Sequence, residues 1–82
     1  MYIVVWEPSA TDHFAAISIA YTNRWSDINA ADDDIANKLR RDPLKYGQPV
    51  SEGLHRIIAP PLGILFSIDG NEVHVQSVGW VG

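Results

Sequence analysis

The chain contains no cysteine, few basic residues and no long hydrophobic run among its 82 residues. The absence of cysteine excludes a disulfide framework and a thiolate metal site, and it fits a reducing cytoplasm. No apolar run approaches the ~20 residues that cross a membrane, and no basic segment precedes an apolar stretch at the N-terminus. We therefore expect a cytoplasmic location, with neither a signal peptide nor a membrane contact.

The six lysines and arginines are outnumbered by ten aspartates and glutamates, which gives a net charge of −4. This balance disfavours general binding to nucleic acids, because duplex affinity depends mainly on neutralising phosphates. All the bases except Arg24 nevertheless lie between Lys38 and Arg56. This basic segment could meet a phosphate backbone or an acidic partner, or its cations could simply complement the dipole at a helix C-terminus.

Apolar residues make up 46% of the chain and include three tryptophans, which indicates a globular protein. A chain of this length forms one domain, residues 1–82. Its core is small, because so short a chain buries only ~60–65% of its unfolded surface.

The last third of the sequence predicts three consecutive strands. The first, at 55–59, ends at the proline pair 60–61, because proline lacks the N–H that a strand ladder needs. The second, at 62–68, alternates apolar side chains. The sequence Asp-Gly-Asn at 69–71 then predicts a tight turn into the third strand, at 72–81.

Strict alternation along this third strand would place Val73 and Val75 on one face and Val78 and Trp80 on the other. The strand would also be an edge with unpaired backbone groups, which another protein could cover. In the alternative, the strand at 2–6 pairs along this edge and Trp80 folds into the core.

The first half of the chain predicts one strand and two helices. Residues 2–6 are β-branched and aromatic, which is typical of a strand. Ser9 is a plausible N-cap of a helix that runs to about Arg24, and Ser26 of a second helix that ends before Pro43. The apolar faces of the two helices consist of Phe14, Ile17 and Tyr21, and of Ile28, Ala31, Ile35 and Leu39.

Residues 44–53 contain two glycines and one proline, which predicts a loop. The order of elements is therefore strand, helix, helix, strand, strand, strand. This order predicts an α+β domain, β-α-α-β-β-β, in which both helices pack on one face of a small, mainly antiparallel sheet.

Three consecutive aspartates, Asp32 to Asp34, suggest a metal site. On a helix, however, three consecutive side chains fan over about 200° and cannot converge on one ion. We therefore expect no metal site there and no cofactor.

Four motifs, in this order and at this spacing, resemble the RelE/ParE family of type II toxin–antitoxin toxins. They are LRRDP at 39–43, LHRI at 54–57, PLGILF at 61–66 and EVHVQSV at 72–78. The resemblance covers nearly the whole chain. It implies the same α+β fold, a bacterial and cytoplasmic protein, and a toxin of the kind associated with plasmid stabilisation.

The resemblance also implies a function, from which this chain departs in part. One branch of the family resembles a metal-independent endoribonuclease that cleaves messenger RNA, and its members commonly carry Arg within the PLxVLY strand and Tyr at its end. Here these positions are Gly63 and Phe66, and Phe66 has no proton to transfer. The resemblance therefore implies a toxin with weak or degenerate catalytic equipment, or a non-catalytic RelE-like protein-binding module.

Two residues are candidates for the chemistry. Arg56 matches the family's arginine in LxRL and could hold a phosphate, or it could pair with Glu52 or with an acid on the next strand. His74 could act as a general acid or base near neutral pH, or it could be a half-exposed strand residue. We take Arg56 and His74 as candidate catalytic residues.

Four further residues are candidates for binding RNA or a partner, namely Arg40, Arg41, Lys45 and Trp80. The expected partner is a cognate antitoxin protein. RNA or the ribosome is a further candidate, and a homodimer stays open.

Overall fold

The computed structural model describes residues 1–82 and contains two long helices, one five-stranded sheet and two short helical elements. The strands are β1 (Ile3–Trp6), β2 (Gln48–Ser51), β3 (Leu54–Ala59), β4 (Leu62–Asp69) and β5 (Glu72–Trp80). The helices are α1 (Pro8–Ala20), a 3₁₀ turn (Thr22–Arg24), α2 (Trp25–Arg41) and the single-turn α3 (Pro43–Tyr46). None of these helices is long and apolar enough to cross a membrane.

The strands are arranged in the order β1-β5-β4-β3-β2. All neighbours are antiparallel except β1 and β5, which run parallel. The first strand of the chain therefore lies against the last one. The predicted α+β class and mainly antiparallel sheet are confirmed, and the free edge expected along the first half of β5 is wrong because β1 occupies it.

Both long helices contribute to one hydrophobic core on one face of the sheet. Helix α1 packs chiefly on β5, whereas α2 packs on β3, β1 and β4. The predicted stripe of α2 is buried as a whole, and its last turn ends at Asp42, whose N–H bonds to the carbonyl of Lys38. The core residues from the sheet are Ile57, Ala59, Leu62, Ile64, Phe66, Val73, Val75 and Val78.

The predicted N-caps are wrong. Helix α1 begins two residues earlier, with Glu7 at the N-cap and Pro8 in the first turn, where the missing N–H has no cost. Helix α2 begins at Trp25, because the 3₁₀ turn connects it almost directly to α1. Instead, the Ser9 hydroxyl donates a hydrogen bond of 2.9 Å to the backbone carbonyl of Gln76 on β5.

The loop predicted at residues 44–53 is also wrong, because this segment contains most of α3 and all of β2. The Asp42 carboxylate caps α3 by accepting a hydrogen bond from the N–H of Lys45. Gly47 then allows the backbone to pass close to the ring of Phe66, where a side chain would collide. Strand β2 was missed because all four of its residues are exposed and carry no apolar alternation.

A β-bulge in β5 changes which residues reach the core. Leu65 pairs with Ser77 and Phe66 pairs with Val75, so Gln76 is an extra residue without a partner on β4. Beyond the bulge, Val78 is therefore buried on the same face as Val75. The prediction that Val78 and Trp80 lie opposite Val73 and Val75 is wrong.

Candidate functional site

The sheet face opposite the helices is uncovered, and it carries both candidate catalytic residues. The register places Arg56 beside Leu65 and Ser77, and His74 beside Ser67. From strand spacing and rise, the Cα atoms of Arg56 and His74 are roughly 12 Å apart. The two residues share a face but are not neighbours.

His74 is held between two carboxylates. Its Nδ1 lies 2.8 Å from Glu7 Oε1 and its Nε2 lies 3.1 Å from Glu72 Oε1. The hydrogen bond to Glu7, followed by the bond to Glu72 and the charges of both carboxylates, raises the pKa of His74, and partial desolvation opposes this rise. Both ring nitrogens are thus engaged, which favours a protonated and fixed imidazole over a free acid or base.

Glu7 is a site residue that sequence reasoning missed. It is 67 positions from His74 in the chain, and the parallel pairing of β1 with β5 brings the two together. No local pattern signals this contact.

Arg56 is exposed and takes part in none of the four ion pairs of the chain, so the pairing with Glu52 considered above is absent. It lines an open depression of about 620 Å³, together with Gly63, Leu65, Ser77 and Gly79. Gly63 and Gly79 are paired in register, and the absence of side chains there keeps the floor flat. The guanidinium is therefore free to meet an anion at this face.

The basic segment is divided between two places. Lys38 and Lys45 lie on the ring of Tyr46, at 5.5 and 5.4 Å from its centroid. Arg56 adjoins this group, since it shares a small cleft with Tyr46.

Arg40, in the last turn of helix α2, points away from this group. The Arg40 side chain donates a hydrogen bond to Asn37, and the backbone carbonyl of Arg40 accepts one from the N–H of Tyr2, which immediately precedes β1. Lys38 and Arg40 are 200° apart around the helix at 100° per residue. The five bases therefore do not form one continuous patch.

Trp80 is used inside the molecule. Its ring stacks on Tyr21 with centroids 3.7 Å apart and an interplanar angle of 3°. Arg24 lies over the same ring at 5.3 Å, and Trp80 packs against the core. Trp80 therefore fastens the end of β5 to the end of α1, which limits the surface that it offers a partner.

The second half of β5 is protected by side chains of α1. Beyond the end of β1, Ser9 bonds to the carbonyl of Gln76, and His13 Nδ1 accepts a hydrogen bond from the N–H of Val78. Ser9 and His13 lie four residues apart on one face of α1, so both side chains can bond to backbone groups of β5 at and just after the bulge.

No group of three or more His, Asp and Glu side chains is placed to hold a metal ion.

No family model and no curated protein matches the chain in sequence. Among solved structures, a chain of the chromosomal ParDE toxin–antitoxin system from P. aeruginosa superposes with a TM-score of 0.79 at 16% identity, covering 100% of this chain and 98% of the other. The chain has the RelE/ParE fold. A chain of the RelBE2 toxin–antitoxin complex from Mycobacterium tuberculosis is also similar, with a TM-score of 0.68, 19% identity and 96% of each chain covered.

The RelE/ParE fold agrees with the α+β class expected both from the order of predicted elements and from the four sequence motifs. The structural match extends over both helices and all five strands, because the coverage is complete or nearly so. At this level of identity the match concerns the fold, and the roles of individual residues depend on the geometry described above.

Proposed function

We propose that this chain is the toxin component of a type II toxin–antitoxin module and that a cognate antitoxin protein binds it. The observation that carries this proposal is the full-length structural match to chains from two toxin–antitoxin systems. A match confined to one motif could arise in unrelated proteins, whereas these matches leave no part of the fold unaccounted for.

The site favours a toxin that acts mainly by binding its target. Of the two candidate catalytic residues, His74 is engaged by Glu7 and Glu72. The titratable side chain that lines the same depression as Arg56 is His13, whose Nδ1 already accepts a hydrogen bond from the N–H of Val78. Phe66 is fully buried on the core side, and Gly63 leaves the uncovered face without a cation at its centre. General acid–base catalysis requires a proton-transferring group within hydrogen-bond reach of the substrate, and this face offers few side chains that are free to transfer a proton.

Cleavage of messenger RNA is the second candidate. The free guanidinium of Arg56 supports it, since a positioned cation stabilises the charge that develops on a phosphate. Lys45, Arg40 and Arg41 are the further candidates for contact with RNA or the ribosome.

A growth experiment tests the toxin proposal. Induction of the chain alone in a bacterial host should arrest growth, and co-expression with the product of the adjacent gene should restore it and yield a stable complex. Normal growth with soluble, folded chain and no complex would contradict the proposal. Sedimentation of the isolated chain in the same series tests for a homodimer.

An assay with ribosomes and a defined messenger RNA separates the two modes of action. If the chain cleaves RNA, Arg56→Ala should lower the rate by about 10²–10³-fold, as expected for loss of a charge-stabilising group. Arg24→Ala, which removes the same charge outside the basic segment, serves as the matched control. Growth arrest without any cleavage would assign the effect to binding alone.

A further inference from the structure

An open surface cavity of about 330 Å³ lies between α1 and α2, on the opposite side of the sheet from the uncovered face. It is lined by Trp6, Thr11, Phe14, Ala15 and Asp32. The rings of Trp6 and Phe14 meet edge to face, with centroids 5.8 Å apart and planes at 87°. They form an aromatic corner in the wall, and the Asp32 carboxylate is the only charged group in the lining.

Asp32 has no cation to balance it. Burial, and then the neighbouring charge of Asp33, raises the pKa of its carboxyl above the ordinary value. None of the four ion pairs of the chain includes Asp32. A partly desolvated carboxylate without a partner costs the free protein stability, and a bound cation would remove that cost.

The helical layer around the cavity is acidic. Six acids and one base lie between residues 7 and 34. Three of the acids have cationic partners, namely Glu7, Asp27 and Asp34. Asp12, Asp32 and Asp33 have none, so the helices present an uncompensated negative charge to an approaching partner.

We propose that this cavity receives an arginine side chain from a segment of the antitoxin, with the guanidinium paired to Asp32 and lying against Trp6 and Phe14. The partner's identity rests on the proposed function. Arginine fits because its planar fork pairs with a carboxylate, it is weakly hydrated, and it is attracted to aromatic rings. The cavity is at the small end of sites that hold a ligand, which suits a single side chain.

A titration with a small probe tests the cavity without the antitoxin. N-acetyl-arginine amide should shift the assigned NMR resonances of the Trp6 indole in a saturable way, whereas the citrulline analogue, which has the same shape and no charge, should not. Asp32→Asn should weaken the arginine probe at least about tenfold, as loss of one charge-assisted hydrogen bond predicts. Asp12→Asn removes the same charge outside the cavity and should bind like the original chain.

Equal shifts from the two probes, or unchanged binding in a folded Asp32→Asn variant, would overturn the inference. A dispersed NMR spectrum of Asp32→Asn is the criterion that this variant is folded. Asparagine retains the shape of aspartate and removes only the charge.

The variants Asp32→Asn and Asp12→Asn also test whether the antitoxin uses this cavity. If the product of the adjacent gene binds the original chain, Asp32→Asn should weaken this binding about tenfold, and Asp12→Asn, which removes a charge outside the cavity, should weaken it much less. Equal affinity in both variants would overturn the inference and leave the proposed function intact. If that product binds none of the three proteins, the proposed function fails, and the probe titration alone decides what the cavity binds.

Discussion

His74 and Arg56 lie on the same uncovered sheet face but differ in what surrounds them. His74 contacts two carboxylates, whereas Arg56 contacts none. A residue type alone therefore does not define a role. The neighbours of His74 suit a structural ion pair, and the freedom of Arg56 suits an anion.

The stability of the chain should depend on pH through His74. The pKa of His74 in the folded chain is raised above its ordinary value of 6.5 by Glu7 and Glu72. The contribution of this residue is fully present below about pH 6.5 and is lost as pH rises through the higher pKa of the folded state. In His74→Gln this contribution is absent.

The measurement is the unfolding free energy of both proteins by denaturant titration between about pH 6 and pH 9. The difference between the original chain and His74→Gln should shrink as pH rises. A difference that stays constant or grows over this range would contradict the assignment of a protonated His74 to the two glutamates.

Among the secondary-structure elements, β5 makes contacts with β1, β4 and α1 and so connects the sheet to the first helix. Strand β1 and helix α1 protect its outer side, β4 pairs with its inner side, and Trp80 fastens its end to Tyr21. The bulge at Gln76 makes this possible, because one extra residue turns Val78 and Trp80 toward the core.

Single substitutions at two consecutive residues, Ser77 and Val78, test the bulge. Val78→Asp places a charge in the core and should cost roughly 3 kcal/mol or more of unfolding free energy. Ser77→Asp lies on the uncovered face and should change the stability by at most about 1 kcal/mol. Urea titration measures both, and the reverse order of effects would show that the strand alternates without a bulge.

The whole molecule has a single core, to which both helices and three strands contribute. The three tryptophans lie in β1, at the start of α2 and at the end of β5. Since no part of the helical layer has a core of its own, helices and sheet should unfold together.

Matched truncations test this cooperativity. Ile35→Val in α2 and Ile64→Val in β4 each remove one methylene from a fully buried side chain and should cost about 0.5–1.5 kcal/mol. In each variant the unfolding midpoints from far-ultraviolet circular dichroism and from tryptophan fluorescence should shift together. Separation of the two midpoints would indicate a helical layer that melts independently of the sheet.

The sequence by itself determined the local features of this protein. The buried stripe of α2, the end of that helix before Pro43 and the turn around Gly70, whose φ is 61°, were all predicted. Each depends on residues within a few positions of one another, because helical periodicity, proline and turn glycines act locally. The order of these features was enough to give the fold class.

Only the tertiary structure decided the rest. The pairing of β1 with β5, the contact of Glu7 with His74, and the stack of Tyr21 on Trp80 join residues that are distant in the chain. The bulge at Gln76 has no signal in the alternation of the sequence, since one extra residue in a pattern of period two exchanges the two faces beyond it. Tertiary packing therefore determines which residues of β5 face the core, the cavity beside Asp32 and the absence of an ion pair at Arg56. None of these three features can be read from a local sequence pattern.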